Sequence, residues 1–94
     1  MKIKTATLTG PALDWAVSHS EGHERAYSTD WAQGGPIIER EGIRMHRSST
    51  GDWWAAAESA LYRPSSGPTP LIAAMRCYVA SQLGDEVEVP EELA

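Results

Sequence analysis

The stretch Asp30-Trp31-Ala32-Gln33-Gly34-Gly35-Pro36-Ile37-Ile38-Glu39-Arg40-Glu41 lies near the middle of the chain, and its glycine pair and proline restrict any fold that contains it. Adjacent glycines free the backbone from the limits a Cβ imposes, and the proline behind them fixes φ near a helical value. The segment therefore reads as a stiff corner. Asp30 or Thr29 caps a single turn through Trp31-Ala32-Gln33, Gly34-Gly35 breaks it, and Pro36 begins a short helix over Ile37 to Glu41 that ends at Gly42. A strand competes for Ile37-Ile38, but Glu39-Arg40-Glu41 lacks period-two alternation, which favours the helix.

Two longer helices flank this corner in the sequence. Thr9 is a good N-cap, Gly10 and Pro11 suit a first turn, and Leu13, Ala16 and Val17 recur at helical spacing, which predicts a helix from about Gly10 to His19. Ser20-Glu21-Gly22 marks its end, with Gly22 able to take the left-handed closing conformation. Trp15 falls about 200° around the helix from Leu13, off the apolar stripe, so it packs against something else or is exposed. The clearest helix starts at the Thr69 cap with Pro70 behind it, carries Leu71, Ile72, Met75, Tyr78, Val79 and Leu83 on an apolar face, and stops at Gly84.

Between them, Ile43, Met45 and Arg47 alternate with Arg44 and His46, as in a half-buried strand. Ser48 to Asp52 is a turn by composition, so Trp53-Trp54-Ala55-Ala56-Ala57 should return as the second strand of a hairpin, one indole on each face. The three alanines equally suit a helix. Gly22 to Asp30 and Arg63 to Pro68 read as loops. Residues Met1 to Leu8 read as a short edge strand or an ordered lead-in. The acidic segment Asp85 to Ala94 either adds an edge strand through Val87 and Val89 or trails along the surface. The expected fold is a single α+β domain over residues 1 to 94, two main helices packed on a small antiparallel sheet.

Ninety-four residues bury only ~60 to 65% of the surface of the unfolded chain, so each large side chain matters to stability. With 41% hydrophobic and 22% charged residues, the chain belongs with folded rather than disordered sequences. A net charge of -5 and the lack of a basic run argue against direct nucleic-acid binding. Arg40, Arg44, His46 and Arg47 form the one local concentration of positive charge, interrupted by Glu39 and Glu41. No apolar stretch approaches the ~18 residues of a membrane span, and Met1-Lys2-Ile3-Lys4 opens no secretory leader, so a cytoplasmic protein is expected. The single Cys77, inside an apolar helical pattern, points to a reduced, buried thiol. Four Trp and three Tyr with no Phe supply rings with polar tips, suited to cores and to interfaces alike.

Three blocks are more distinctive than their composition. They are Leu8-Thr9-Gly10 through Leu13-Asp14-Trp15-Ala16-Val17, the stretch Asp30 to Glu41, and Gly67-Pro68-Thr69-Pro70-Leu71-Ile72-Ala73-Ala74-Met75-Arg76-Cys77-Tyr78-Val79-Ala80-Ser81. In wording and order they resemble the NinX-like family of small bacteriophage and prophage proteins, over nearly the whole chain and most loosely from Arg44 to Ser66. The resemblance implies an accessory protein of a tailed phage or prophage, from a family of unknown function. It carries over no catalytic residues.

Read from the residues alone, the chain offers no catalytic constellation. Asp30, Glu39, Arg40 and Glu41 could pair a carboxylate base with an anion-holding arginine, His46 titrating beside them, yet the same residues serve as a helix cap and a solvated face. Cys77 lacks a base at hand. His19 and His23 stand four apart with Gly22 between them and no third ligand at a telling interval, so neither a metal nor a cofactor is expected. The glycines could offer N–H groups to an anion, but the lysine and spacing of a phosphate loop are missing. The leading expectation is a non-enzymatic module that binds a host or phage protein, and the alternative is an anionic-ligand site or small enzyme at the turn. For either, the candidate residues are Asp30, Trp31, Gly34, Gly35, Glu39, Arg40 and Trp53.

Overall fold

The computed structural model describes residues 1–57 and 64–94. Chain order is β1 (Lys2–Lys4), α1 (Gly10–Glu21), α2 (Trp31–Glu41), β2 (Ile43–Arg47), β3 (Trp53–Ala57), β4 (Ser65–Gly67), α3 (Pro70–Leu83) and β5 (Glu86–Glu88), with short 3-10 turns at Thr5–Thr7 and Glu91–Leu93. The α+β expectation holds, with a third helix added to the two main ones.

The long helix α3 is the centre of packing. Thr69 Oγ1 accepts the Ile72 N–H at 3.1 Å, and Gly84 closes the far end with its N–H on the Ala80 carbonyl. Leu71, Ala73, Ala74, Met75, Cys77, Tyr78 and Val79 are all buried, so the helix is covered on more than one face. Burying Met75 completely removes a large thioether side chain from water, an effect of roughly 1.5–3 kcal/mol. One side of α3 meets α1 through Leu13, Ala16 and Val17, which are fully buried as the periodicity predicts. Another meets the sheet β2-β3-β4, which is antiparallel throughout.

The hairpin forms where expected. Ile43 pairs with Ala57 and Arg47 with Trp53, which places Ile43, Ala55 and Ala57 on the buried face and Arg44, His46, Trp54 and Ala56 on the other. Its third strand, β4, corrects the loop expected over Arg63 to Pro68. Ser65–Gly67 pairs with β3, although nothing in Ser-Ser-Gly favours a strand. Tertiary packing supplies the reason: a Cβ on Gly67 would sit 2.8 Å from the Ala73 nitrogen, so only glycine lets this strand lie so close to α3. Arg76 fastens the same junction, donating to the Ser66 carbonyl at 2.8 Å and to the Leu8 carbonyl at 2.7 Å. Arg63 itself lies outside the described residues.

The two ends of the chain meet in a second, two-stranded sheet, with Lys2 opposite Glu88, Ile3 opposite Val87 and Lys4 opposite Glu86. Val87 and Val89 are buried in the core while the glutamates face out.

The central corner is not broken. The structure shows one helix, α2, through Gly34, Gly35 and Pro36, so the expected single turn and separate short helix merge. Asp30 caps it, accepting the Ala32 N–H at 2.9 Å. Pro36 removes only the bond to the carbonyl of Ala32, which lies in the exposed first turn where water can take the vacated place. Gly34 is retained for packing rather than for breaking: a Cβ there would be 2.6 Å from both the Tyr27 carbonyl oxygen and Leu71 Cδ1.

Candidate functional site

The single helix divides the predicted site residues between two faces. Gly34 and Ile37 are buried against the core, whereas Asp30, Trp31, Glu39 and Arg40 are exposed. Trp31, in the first turn behind the Asp30 cap, keeps 51% of its surface in water and is the largest exposed apolar side chain among the described residues. Gly35 faces open space: apart from its chain neighbours and the adjoining backbone of its own helix, no atom lies within 4 Å of where a Cβ would lie. Trp53 does not join them. It sits half-buried on β3, opposite Arg47 and Gly67, packed against the core.

Arg40 is engaged by two carboxylates. It holds the Glu21 carboxylate through both oxygens, Nη1 to Oε1 at 3.0 Å and Nη2 to Oε2 at 2.7 Å, while Nε donates to Glu41 at 2.8 Å. Its guanidinium also lies over the Tyr78 ring, 5.8 Å from the centroid, and the Tyr78 hydroxyl donates to Glu21. The Arg40 hydrogen bonds hold the Glu21 carboxyl below the usual carboxylate range, although partial burial opposes them. Burial first, and then Glu21, push the Tyr78 phenol up to about 12, and the two carboxylates raise Arg40 further. A base works best near the ambient pH, and neither a depressed carboxylate nor a phenol at about 12 is so placed. The network instead ties the C-terminal ends of α1 and α2 to the middle of α3.

Sequence reasoning missed Glu21 and Tyr78 as partners of Arg40. One signal existed, since a tyrosine on an apolar stripe needs somewhere to place its hydroxyl. Trp15, which lies off the apolar stripe of α1, is half-buried and stacked on His19 at 5.3 Å with 21° between the rings. A groove of about 390 Å³ runs past Pro11, Asp14 and Trp15 towards Arg25. A smaller one of about 230 Å³ lies between Trp15, His19 and His23. Neither is lined by any residue from Asp30 to Glu41. Among the described residues no three His, Cys, Asp or Glu side chains are grouped to hold a metal ion. Cys77 is buried, and burial pushes its thiol up, away from the nucleophilic thiolate. No helix among the described residues is long and apolar enough to cross a membrane.

No curated protein matches the chain. The family described as Bacteriophage P22, NinX, matches residues 24–82. That region takes in α2, the whole β2-β3-β4 sheet and α3 as far as Gln82, one residue short of its end, and it begins after α1, so the Leu8 to Val17 block lies outside it. The match covers more than half of the chain and both later sequence blocks, and the chain belongs to the phage NinX family.

Proposed function

We propose that this phage-family protein is a non-enzymatic accessory module that acts inside the host cell by binding a host or phage protein, with Trp31 as an anchor of the contact. The observation that carries this reading is the indole held half in water at the start of a capped helix, since tryptophan is over-represented among interface anchors. Exposing it costs apolar burial that the fold could otherwise use. The competing reading, an anionic-ligand site or small enzyme around Trp31, Gly34, Gly35 and Arg40, has less support. Gly34 is packed beneath Tyr27 and Leu71, and the Arg40 donors are directed at Glu21 and Glu41.

Affinity capture from phage-infected cells tests the proposal, comparing wild type with Trp31→Ala and with Glu92→Gln, an exposed position away from α2, as a surface control. A partner recovered with wild type and the control but lost with Trp31→Ala is the expected outcome. Equal recovery by all three would remove Trp31 from the contact.

A further inference from the structure

Among the described residues, nothing pairs with the outer edge of strand β2. Ser48 N–H donates to the Asp52 carbonyl at 2.8 Å and Gly51 N–H to the Ser48 carbonyl at 3.1 Å, which fixes Ser48 and Asp52 as a hydrogen-bonded pair at the hairpin turn. Antiparallel ladders alternate, so Arg44–Ala56 and His46–Trp54 are bonded pairs and the N–H and C=O groups of Met45 and Arg47 point away from β3. No strand lies on that side in the order β2-β3-β4, and no backbone bond among the described residues reaches either residue from there. Arg44, His46 and Arg47 are exposed on a chain of net charge -5, and among the described residues neither arginine has an ion pair.

The other sheet gives one register in which such a strand is paired. In the other sheet the basic–apolar–basic strand Lys2-Ile3-Lys4 pairs with Glu86-Val87-Glu88, lysine opposite glutamate and isoleucine opposite valine. Arg44-Met45-His46 repeats the basic–apolar–basic order, with the half-buried Met45 in the place of Ile3, but on a free edge. We propose that β2 receives a fourth strand from a partner protein, a segment of alternating acidic and apolar residues whose carboxylates face Arg44 and His46 and whose apolar side chain faces Met45. Main-chain bonds to Met45 and Arg47 would supply the affinity and the charges the register. Charged residues on an edge ordinarily deter pairing with a like strand, which is compatible with admitting a strand of opposite charge. The inference is independent of Trp31, and its test reads β2 alone.

Amide exchange of the full chain, followed by NMR with a blocked peptide of alternating glutamate and valine, tests it. The expected result is saturable slowing at Met45 and Arg47, with no change at His46, whose N–H is already bonded, and no effect from the matching lysine–valine peptide. Arg44→Glu should weaken peptide affinity roughly tenfold. Arg47→Pro removes an outward donor at a position where an edge strand accepts proline, and should lower the affinity while His46 and Trp54 amides stay protected. If that variant loses the hairpin, Arg44→Glu decides alone. Absence of slowing at millimolar peptide, or equal response to the lysine peptide, would overturn the proposal. So would slowing without peptide that grows with protein concentration, which would give the edge to a second copy.

Discussion

Neighbouring glycines in α2 should respond in opposite directions to the same substitution. Gly35→Ala places a methyl clear of every other element, and should stabilise by at most about 0.5–1 kcal/mol, the neighbouring Pro36 ring opposing the gain in helix propensity. Gly34→Ala drives a methyl against the Tyr27 carbonyl, which as backbone cannot rotate away, and should destabilise by roughly 1–3 kcal/mol despite the better helix propensity of alanine. Chemical denaturation of the two variants checks both signs, and a stabilised Gly34→Ala would refute the packing at that position. The sequence made these glycines visible but not their roles. Without a view of Tyr27 and Leu71, a glycine pair ahead of a proline reads as a break, whereas in the fold one glycine is a contact surface and the other is dispensable. Met75 was legible because its spacing alone put it on the apolar face, and Met75→Ala should cost about 2–5 kcal/mol.

Between elements, the Arg40–Glu21–Tyr78 network sets how α1, α2 and α3 respond to pH. Because Arg40 lowers the Glu21 pKa in the folded state, the stabilisation it brings is complete above the ordinary value of 4.5 and is lost as pH falls through the lower folded value. Tyr78 acts at the other limb: its pKa is raised to about 12, so its contribution is complete below the ordinary 10.0 and is lost as pH rises from there towards 12. Glu21→Gln should flatten the acid limb of a stability–pH profile, and Tyr78→Phe the alkaline limb. An unchanged profile in either variant would deny that the network is formed in solution. Spacing could not reveal these contacts, since Glu21 and Tyr78 are 19 and 38 residues from Arg40. Local signals did reveal the elements themselves wherever caps were explicit, as at Thr69, Gly22 and Gly84. Strand β4 escaped because its pairing depends on what Gly67 permits against Ala73, a tertiary fact with no periodic trace.

At the scale of the molecule, α3 separates two sheets that solve the same problem differently. The terminal sheet sets lysines opposite glutamates in its register, while among the described residues the hairpin sheet leaves a basic edge open. Against α3 and β2, helix α2 turns Gly34 and Ile37 inward and Trp31 outward. The family match covers this helix, the hairpin sheet and α3 together, so the proposed contact belongs to the shared part of the chain.

Equilibrium unfolding of Trp31→Ala, run beside Met75→Ala, tests most directly whether Trp31 is presented rather than packed. The account predicts a stability within about 0.5 kcal/mol of wild type for Trp31→Ala, as for other surface substitutions, with the large loss confined to Met75→Ala. A loss of about 3–5 kcal/mol at Trp31, the cost of truncating a buried tryptophan, would place the indole in the core and contradict it.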